Sequence, residues 1–419
     1  MNRHIAQAKH LNPLKWLLLV MVIGTLAGSA SAIFLISLDR VTNFREANSW
    51  IIFFLPIAGF LIGWIYHYYG KDVAKGNNLL LEEFEQPLNK IPLKMAPFVL
   101  LGTLLTHLFG GSAGREGTAV QMGGSIADQF THWFKLSPQE RRTVLLMGIS
   151  AGFASVFGTP LAGFVFALEI VLFQQHRKYS FIPVLLVAFL AHYVCLAWGA
   201  THTNYNIDVV PSISFYTIIW VILSGIIFGM CACFFSSTMY FFSNIFSKIK
   251  YAPVRPFIAG LIIALVVWQF NLHKYIGLGI PTIVASFSEQ MEGYDFLFKI
   301  LFTAFTLSAG FKGGEVTPLF YIGATLGNAL IWFIPLPMGL LAGMGFVAVF
   351  AGATHAPLAC TIMGMELFGY EAGLYLLIAC FFSFLFSGIK GIYVSQKIPL
   401  IKKVFYNKMF KLLNKKNSN

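Results

Sequence analysis

An arginine and a glutamate stand side by side in a glycine-rich stretch between apolar segments. The stretch reads Gly-Gly-Ser-Ala-Gly-Arg-Glu-Gly-Thr over residues 110–118, and apolar runs lie on either side of it at 97–109 and 144–168. Charged side chains are costly at membrane depth, where they usually mark a path for ions or protons. A glutamate there can take up and release a proton. Arg115 and Glu116 are therefore the first candidates for a functional site.

The composition places these two residues in a membrane protein. Of the 419 residues, 57% are hydrophobic and only 11% are charged, whereas soluble domains carry about 25% charged residues. Uncharged runs of spanning length lie at 17–38, 51–69, 181–200, 213–247, 257–271 and 372–389. At about 20 residues per full span, we expect roughly ten to twelve spanning or half-spanning helices in an all-α integral membrane protein. The 213–247 run fits either one long tilted helix or two short ones.

The positive charge is concentrated at the two ends of the chain. Residues 1–38 contain Arg3, Lys9 and Lys15 and no acid, and residues 372–419 contain eight lysines and no acid, so the ends hold 11 of the 12 excess charges. Positive segments next to membrane spans stay in the cytoplasm. We therefore expect both termini to be cytoplasmic. Because the basic tail directly follows an apolar segment, we expect no nucleic-acid partner.

Several functional classes find no support in the sequence. The membrane segments contain no HExxH or Walker pattern, so we do not expect an enzyme. The five cysteines lie inside apolar stretches, and Cys231 and Cys233 have no histidines at ligand spacing. Small core-packing residues explain them, and we expect neither a metal site nor a cofactor.

The features of the opening stretch recur in the second half of the chain. Residues 310–318 read Gly-Phe-Lys-Gly-Gly-Glu-Val-Thr-Pro, and aligning Gly123 with Gly323 sets the two stretches 200 residues apart. A Pro-Leu-Ala motif then follows in each half. The gap from Pro160 to Glu169 and that from Pro357 to Glu366 are both nine residues. Two motifs in the same order at nearly the same offset indicate an internal duplication.

Duplicated, glycine-interrupted apolar segments predict a substrate site where the two repeats meet. A broken helix leaves its first N–H groups unpaired, and the helix dipole makes that end positive. Several such ends would bind a small anion without a full positive charge. Gly76-Asn77-Asn78 predicts another helix start with Asn as its cap, either an ordinary cap or a terminus aimed at a ligand. The acidic cluster at 82–85 is expected to be a solvated face.

The order of these motifs resembles that of the CLC chloride channel and transporter family. The resemblance rests on Gly-Arg-Glu-Gly at 114–117, the Gly314-to-Pro318 stretch, the two Pro-Leu-Ala helices and Tyr393, and it runs from about residue 15 to 400. It implies a homodimer in the cell membrane with one anion pathway per subunit. Each subunit would be an inverted repeat of many tilted and half-spanning helices.

The resemblance also implies a division of the chain. Residues 1–15 would be a cytoplasmic N-terminus, and residues 16–392 a single transport domain built of two inverted repeats at about 50–205 and 215–392. Residues 393–419 would be a basic cytoplasmic tail without a regulatory domain.

The resemblance assigns roles to individual residues. Glu116 matches the gating glutamate, whose carboxylate competes with the anion and carries the proton. Tyr393 matches the central tyrosine, whose hydroxyl faces the anion. The amides of Glu315, Val316 and Thr317 match the anion-binding helix terminus of the second half.

Four departures from the usual family pattern point to one branch of it. Thr118 stands where proline is usual, Asn77 where serine is usual, and Ile170 where family exchangers carry an internal proton-relay glutamate. The usual GxFxP becomes Gly-Glu-Val-Thr-Pro at 314–318. Together these are similar to the fluoride/proton antiporters of the family. The alternative within the family is a chloride/proton exchanger or a chloride channel.

The chemistry of fluoride agrees with that branch. Fluoride is a small, strong hydrogen-bond acceptor, so replacing its water shell calls for strong donors. The amides of Asn77 and Asn78 and the hydroxyls of Thr317 and Tyr393 are such donors. We therefore predict a fluoride/proton antiporter that exports fluoride from the cytoplasm, driven by the proton gradient, with fluoride, protons and the lipid bilayer as its partners.

Other residues around these motifs have supporting or structural interpretations. Glu315 is either a second proton-handling group or a carboxylate favoured by the helix dipole. Lys312 and Arg115 either add positive potential or form structural salt bridges. His107 and His355 are expected to be hydrogen-bonded core histidines. The predicted supporting residues are Gly76, Arg115, Gly117, Thr118, Lys312 and Glu315.

Overall fold

The computed structural model describes residues 13–171 and 180–416, and it is all-helical there apart from loops, turns and one isolated β-bridge. The expected N-terminal segment falls largely on residues 1–12, which lie outside the described residues. The α-helices are α1 Pro13–Ala47, α2 Leu55–Tyr68, α3 Asn77–Glu85, α4 Met95–Leu108, α5 Glu116–Trp133, α6 Pro138–Phe157, α7 Pro160–Glu169, α8 Phe181–Ala197, α9 Phe215–Ser247, α10 Val254–Phe270, α11 Ile280–Ala285, α12 Asp295–Ala309, α13 Val316–Ala329, α14 Met338–Thr354, α15 Pro357–Phe368, α16 Gly373–Phe386 and α17 Leu400–Lys416.

The helices fall into long and short classes. Among residues 13–171 and 180–416, three helical segments are long and apolar enough to cross a membrane, namely Pro13–Ala47, Ser49–Tyr68 and Phe215–Ser247. The same part of the chain holds eight further apolar helices of 10–17 residues. The 213–247 run is thus one long helix, α9. The seventeen α-helices in the described ranges exceed the roughly ten to twelve expected at full-span lengths, because glycine and proline divide the apolar runs into short pieces.

The helices of the first half recur in the same order in the second half. The starts of α4, α5 and α6 each lie 200 residues before the starts of α12, α13 and α14. The long helix α1 corresponds in this order to the long helix α9. Helix α17 follows the second set and has no counterpart in this order.

A glycine of each half binds the matching glycine of the other. The Gly114 amide donates to the Gly314 carbonyl at 2.6 Å, and the Gly314 amide donates to the Gly114 carbonyl at 2.8 Å. The pair forms an antiparallel bridge. Because the two residues are 200 positions apart, the bridge joins equivalent points of the duplicated sequence.

A glutamate of each half also reaches the equivalent helix start of the other half. Glu169, the last residue of α7, accepts from the first free amides of α15, and Glu366 near the end of α15 accepts from those of α7. The four bonds run from Leu358 at 3.0 Å, Ala359 at 2.7 Å, Leu161 at 3.0 Å and Ala162 at 2.8 Å. Carboxylates at these positions satisfy amides that a helix leaves unpaired.

Glycines allow the central helices to approach one another closely. A Cβ placed on Gly123 of α5 would lie 2.3 Å from the Gly148 carbonyl oxygen of α6. In the second half, a Cβ on Gly323 of α13 would lie 2.0 Å from the Gly345 carbonyl oxygen of α14. Only glycine permits such backbone contacts, which are common between membrane helices.

The acidic cluster of α3 is not the solvated face that the sequence suggests. Glu83 is buried, and its carboxylate lies 3.1 Å from Nη1 of Arg141. The same guanidinium binds both oxygens of Asp128 at 2.8 Å. The expectation is wrong for Glu83, because α3 packs on α5 and α6, where Arg141 supplies a charge partner that sequence spacing does not reveal. Glu82 and Glu85 are half-buried.

Candidate functional site

The carboxylate of Glu116 lies at the N-terminus of α13. The Thr317 amide donates to its Oε2 at 3.0 Å, and the Thr317 hydroxyl donates to its Oε1 at 2.5 Å. The Arg115 amide adds a third bond at 3.1 Å, and Glu116 is only 1% exposed. A helix N-terminus is a natural anion site. A carboxylate of the protein therefore holds donors that a free anion would use.

Glycine brings the two helix starts together at this point. A Cβ placed on Gly117 would lie 3.0 Å from Nδ2 of Asn77 and 3.1 Å from Cα of Gly314. A Cβ on Gly314 would lie 2.7 Å from the Gly117 amide nitrogen. A side chain at either position would push α5 and α13 apart. Gly117 thus supports the site through its small size.

The two predicted cations behave differently. Nε of Arg115 lies 3.7 Å from Oε1 of Glu116, so Arg115 forms a loose ion pair at the site. The Lys312 ammonium instead lies over the ring of Tyr66, 3.8 Å from its centroid. Within residues 13–171 and 180–416 it has no carboxylate partner, so the salt-bridge alternative is wrong for Lys312.

A cavity of about 160 Å³ brings together residues from distant parts of the chain. Helix α3 provides one wall, the start of α13 another, and the segment after α16 a third. Predicted site residues that line it are Gly76, Asn77, Asn78, Lys312, Glu315 and Tyr393. The cavity is narrow, polar and surrounded by N–H and O–H donors, which suits a small anion or water.

Helix α3 presents its first residues to this cavity. Its cap is Gly76, with φ of +58°, so the prediction that Asn caps the helix is wrong. The side-chain oxygen of Asn77 is buried, and no described residue hydrogen-bonds it. The side-chain oxygen of Asn78 accepts from the Ser395 amide at 3.0 Å. Asn77 therefore has free hydrogen-bonding capacity, while Asn78 also ties α3 to the segment that carries Tyr393.

Gln121 lines the same cavity and is not among the residues that the sequence predicts. It lies on α5, five residues after Glu116, and both polar atoms of its amide are 3.2 Å from a Cβ placed on Gly76. No partner for this amide occurs among the described side chains and backbone groups. The sequence carried no clear signal for it, because Gln121 is one of several polar residues of α5.

A second, smaller cavity lies against Glu116. It measures about 20 Å³, and none of its lining residues belongs to the larger cavity. Arg115, Glu116 and Thr317 line it together with the polar residues His202, Thr203 and Tyr205 and an apolar group of Phe157, Phe320, Phe346 and Leu367. The loop residues 202–205 are also absent from the sequence prediction, because nothing local marks a loop that folds over a distant site.

Two predicted residues do not present side chains to either cavity. The Thr118 hydroxyl lies 2.7 Å from that of Thr103, so it joins α5 to α4. Val316 is the first residue of α13 with a side chain only 2% exposed, so any contact with an anion is through its amide.

His107 and His355, the two histidines expected to be hydrogen-bonded in the core, differ in their hydrogen bonds. Both ring nitrogens of His107 contact backbone carbonyls, those of Thr103 at 2.9 Å and Ala113 at 3.0 Å, as expected for a core histidine. His355 is buried in the left-handed conformation with φ of +57°, and its Nε2 has no hydrogen-bond partner in the described part of the chain. The expectation of a satisfied core histidine is wrong for His355.

Comparison with known proteins identifies the family. The family model described as "Voltage gated chloride channel" matches residues 58–388. The chain is 51% identical over 391 residues to the "Chloride/fluoride channel protein" of Pseudomonas syringae pv. tomato, covering 92% of this chain and 86% of that protein. It is 27% identical to the "H(+)/Cl(-) exchange transporter ClcA" of Cronobacter sakazakii, covering 88% and 85%.

Solved structures have the same fold. The crystal structure of a CLC-type fluoride/proton antiporter matches with a TM-score of 0.89 at 35% identity, covering 93% of this chain and all of that one. A slow cyanobacterial Cl-/H+ antiporter matches with a TM-score of 0.80 at 21% identity, covering 94% and 98%. The predicted all-helical CLC fold is confirmed. The chain belongs to the CLC family and is a multi-pass membrane protein of ion transport, not an enzyme.

Proposed function

We propose that the chain is a fluoride/proton antiporter that exports fluoride from the cytoplasm, driven by the proton gradient. The observation that carries the proposal is the pair of hydrogen bonds from Thr317 to the carboxylate of Glu116. A fluoride ion and an ionised carboxylate need the same donors, so they compete for the α13 N-terminus. Proton binding and anion binding are therefore linked at one place.

The exchange follows from the chemistry of the carboxylate. When Glu116 is ionised, its two oxygens accept from the Thr317 amide and hydroxyl. A proton that adds to one oxygen neutralises the side chain and removes the charge that the helix terminus favours. The neutral side chain then releases these donors to an incoming anion. For antiport the two ions leave on opposite sides: the anion leaves to the outside, and the proton taken up from the outside leaves the carboxyl group to the cytoplasm, so that the ionised carboxylate returns to the donors of Thr317.

The arrangement of the cavities supports this competition. The smaller cavity touches Glu116 and Thr317, whereas the larger one touches Glu315 and Tyr393, and they share no lining residue. In this proposal, an ion path through the smaller cavity and an ion path through the larger cavity would join at Glu116. Movement of the Glu116 side chain then connects the two cavities. Glu315 lies in the larger cavity at the start of α13, where it serves as a second proton-handling group.

The donors around the site favour fluoride. The Thr317 hydroxyl, the Asn77 amide and the Tyr393 hydroxyl are compact donors that can replace the water shell of a strong acceptor. A relative named as a chloride/fluoride channel protein and a structural neighbour described as a fluoride/proton antiporter support the same substrate. The alternative, a chloride/proton exchanger or chloride channel, is supported by the names of the chloride-exchanging relatives.

The wider organisation is part of the same proposal. The basic ends of the chain support a cytoplasmic location of both termini. The matching helix order supports two inverted repeats in one transport domain. The family resemblance supports a homodimer in the cell membrane.

Ion flux from proteoliposomes tests the proposed function. Vesicles that contain the purified protein are loaded with fluoride or with chloride, and efflux is followed with ion-selective electrodes, with and without a pH gradient. We expect fluoride to leave much faster than chloride, and an imposed pH gradient to move fluoride against its own gradient. Equal chloride efflux would overturn the proposed substrate, and efflux that ignores the pH gradient would overturn antiport.

A further inference from the structure

The segment that carries Tyr393 links two helices that lie outside the centre of the site. We name residues 388–399, which lie between the end of α16 and the start of α17, the tyrosine strap. Tyr393 lines the larger cavity and is only 8% exposed. No hydrogen bond from a described residue holds its hydroxyl. The position of that hydroxyl therefore depends on how the strap backbone is held.

Helix α17 fixes the first residue of the strap. The Lys402 ammonium is fully buried, and it donates to the Ser387 hydroxyl at 2.7 Å and to the Gly388 carbonyl at 2.6 Å. The Tyr406 hydroxyl accepts from the Gly388 amide at 2.8 Å. Both polar backbone groups of Gly388 are thus bound by side chains of α17. Gly388 has φ of +76°, the left-handed conformation that reverses a chain after a helix.

The burial of Lys402 is unusual for a residue in a basic tail. A buried ammonium is costly unless it is well hydrogen-bonded. Across the described residues it has no carboxylate partner; it donates to the two oxygens, and the ring of Phe384 lies 4.9 Å away. The neighbouring Lys403 is exposed. The helix thus points one lysine inward at the end of α16, where a cation satisfies carbonyls and the negative end of the helix dipole.

The middle of the strap is held against the core. The Ile392 amide donates to the Ala353 carbonyl at 2.9 Å, and the Tyr240 hydroxyl donates to the Gly391 carbonyl at 3.1 Å. A Cβ placed on Gly391 would lie 2.8 Å from the Ala353 carbonyl oxygen. These contacts immediately precede Tyr393 and, together with the bonds at Gly388, set the path of the backbone that leads to it.

The far side of the strap binds α3. The Ser395 amide donates to the side chain of Asn78 at 3.0 Å, and its hydroxyl donates to Glu82 at 3.0 Å. Lys397 forms an ion pair with Glu85. Asn77 at the start of α3 and its cap Gly76 line the cavity. The strap therefore connects two walls of the cavity, and α17 fixes its first residue, Gly388.

We propose that Lys402 and Tyr406 are positioning residues that hold the Tyr393 hydroxyl at the anion path, so that α17 is part of the transport unit rather than a passive tail. The proposal rests on the proposed function, because it takes Tyr393 to contact the anion. Release of Gly388 would loosen the strap from its first residue. The hydroxyl would then spend less time in place, and the transporter would bind its anion more weakly.

Transport kinetics of matched lysine variants test the proposal. Lys402→Met keeps the length and apolar contacts of the side chain but removes its charge and donors, and Lys403→Met makes the same change on the exposed side of the helix. Fluoride efflux from proteoliposomes is measured against fluoride concentration. We expect Lys402→Met to raise the half-saturating concentration about threefold to tenfold, the loss of one or two hydrogen bonds. Lys403→Met should leave it unchanged.

A second variant covers the case in which Lys402→Met does not fold. Tyr406→Phe removes only the hydroxyl that accepts from Gly388, and it should raise the half-saturating concentration in the same direction. A double-mutant cycle with Tyr393→Phe then separates positioning from folding. Once the Tyr393 hydroxyl is gone, loosening the strap should add nothing further.

The outcomes distinguish this proposal from the proposed function. A lower yield or maximal rate with an unchanged half-saturating concentration would make Lys402 a structural anchor only and overturn the proposal. Additive effects in the double-mutant cycle would do the same. If Tyr393→Phe leaves the transport kinetics unchanged, Tyr393 does not take part in anion binding. That result would also overturn the proposal, because positioning its hydroxyl would then serve no purpose. Only chloride efflux as fast as fluoride efflux in the unaltered protein would overturn the substrate.

Discussion

Glu116 and Thr317 are 201 positions apart in the sequence, yet both the amide and the hydroxyl of Thr317 bind the carboxylate of Glu116. One residue thus uses a backbone donor and a side-chain donor on the two oxygens of a single carboxylate. The contact joins the first helical residue of α5 to the second helical residue of α13. The first half of the chain therefore supplies the titratable group, and the second half supplies two of the three donors that bind it.

Replacement of Glu116 by glutamine should uncouple fluoride from protons. The amide side chain has nearly the same shape but cannot exchange a proton at neutral pH. We expect Glu116→Gln to abolish fluoride accumulation driven by a pH gradient in proteoliposomes. Glu371→Gln changes an exposed glutamate and should leave coupling intact. Proton-driven accumulation that survives Glu116→Gln would remove Glu116 from the mechanism.

The Thr317 hydroxyl should matter more than the bulk of its side chain. Thr317→Val keeps the shape and loses the donor, whereas Thr317→Ser keeps the donor. We expect fluoride efflux to fall about tenfold in the valine variant, because one hydrogen bond to a charged group is lost at the site. The serine variant should stay close to the unaltered protein. Equal efflux from both variants would contradict a role for the hydroxyl.

Asn77 should contribute to the choice of fluoride over chloride. Its amide lies beside Gly117, and its oxygen has no partner in the described part of the chain. Asn77→Ser replaces two N–H donors by one hydroxyl. We expect the ratio of fluoride to chloride efflux to fall, measured with both ions on the same preparation. Asn206→Ser in an exposed loop is the control, and an unchanged ratio for Asn77→Ser would sink this prediction.

The glutamates that join α7 and α15 should contribute to stability. Glu169 and Glu366 each accept two backbone bonds from the opposite half. A glutamine keeps one acceptor and turns a donor toward the second amide, so each change should lower the free energy of unfolding by about 1–3 kcal/mol. Thermal unfolding in detergent measures the effect, and Glu371→Gln again serves as the control. If Glu169→Gln and Glu366→Gln both unfold at the same temperature as the unaltered protein, these contacts are dispensable for stability.

The sequence predicts the helix breaks well, because glycine and proline act locally. The Gly-Arg-Glu-Gly stretch correctly places the start of α5 at the site, and Pro160 and Pro357 begin α7 and α15. Six of the predicted residues line the larger cavity, since the family motifs mark them along the chain: Gly76, Asn77, Asn78, Lys312, Glu315 and Tyr393. The sequence does not predict Gln121 or residues 202–205, because their place in the site arises only when distant elements pack together.

The direction in which a side chain points is the second property that the spacing of residues in the sequence does not predict. Thr118 differs from the usual proline of the motif, yet its hydroxyl turns toward Thr103 on α4. Glu83 looks like part of a solvated cluster, yet Arg141 draws it into the interior. In both cases the partner lies on another helix, and no local pattern indicates it. Lys402 is a third case, a tail lysine that the end of α16 turns inward.

The bridge between Gly114 and Gly314 limits how the protein can alternate between its two sides. Two short backbone bonds fix the N-terminal ends of α5 and α13 to each other at the centre of the molecule. The halves therefore share a common pivot and cannot separate there without breaking both bonds. If one half rocks against the other in the proposed exchange, the outer ends of the helices move while these two helix starts stay together. We then expect rotation of the Glu116 side chain, around a stationary backbone, to control access to the proposed anion site.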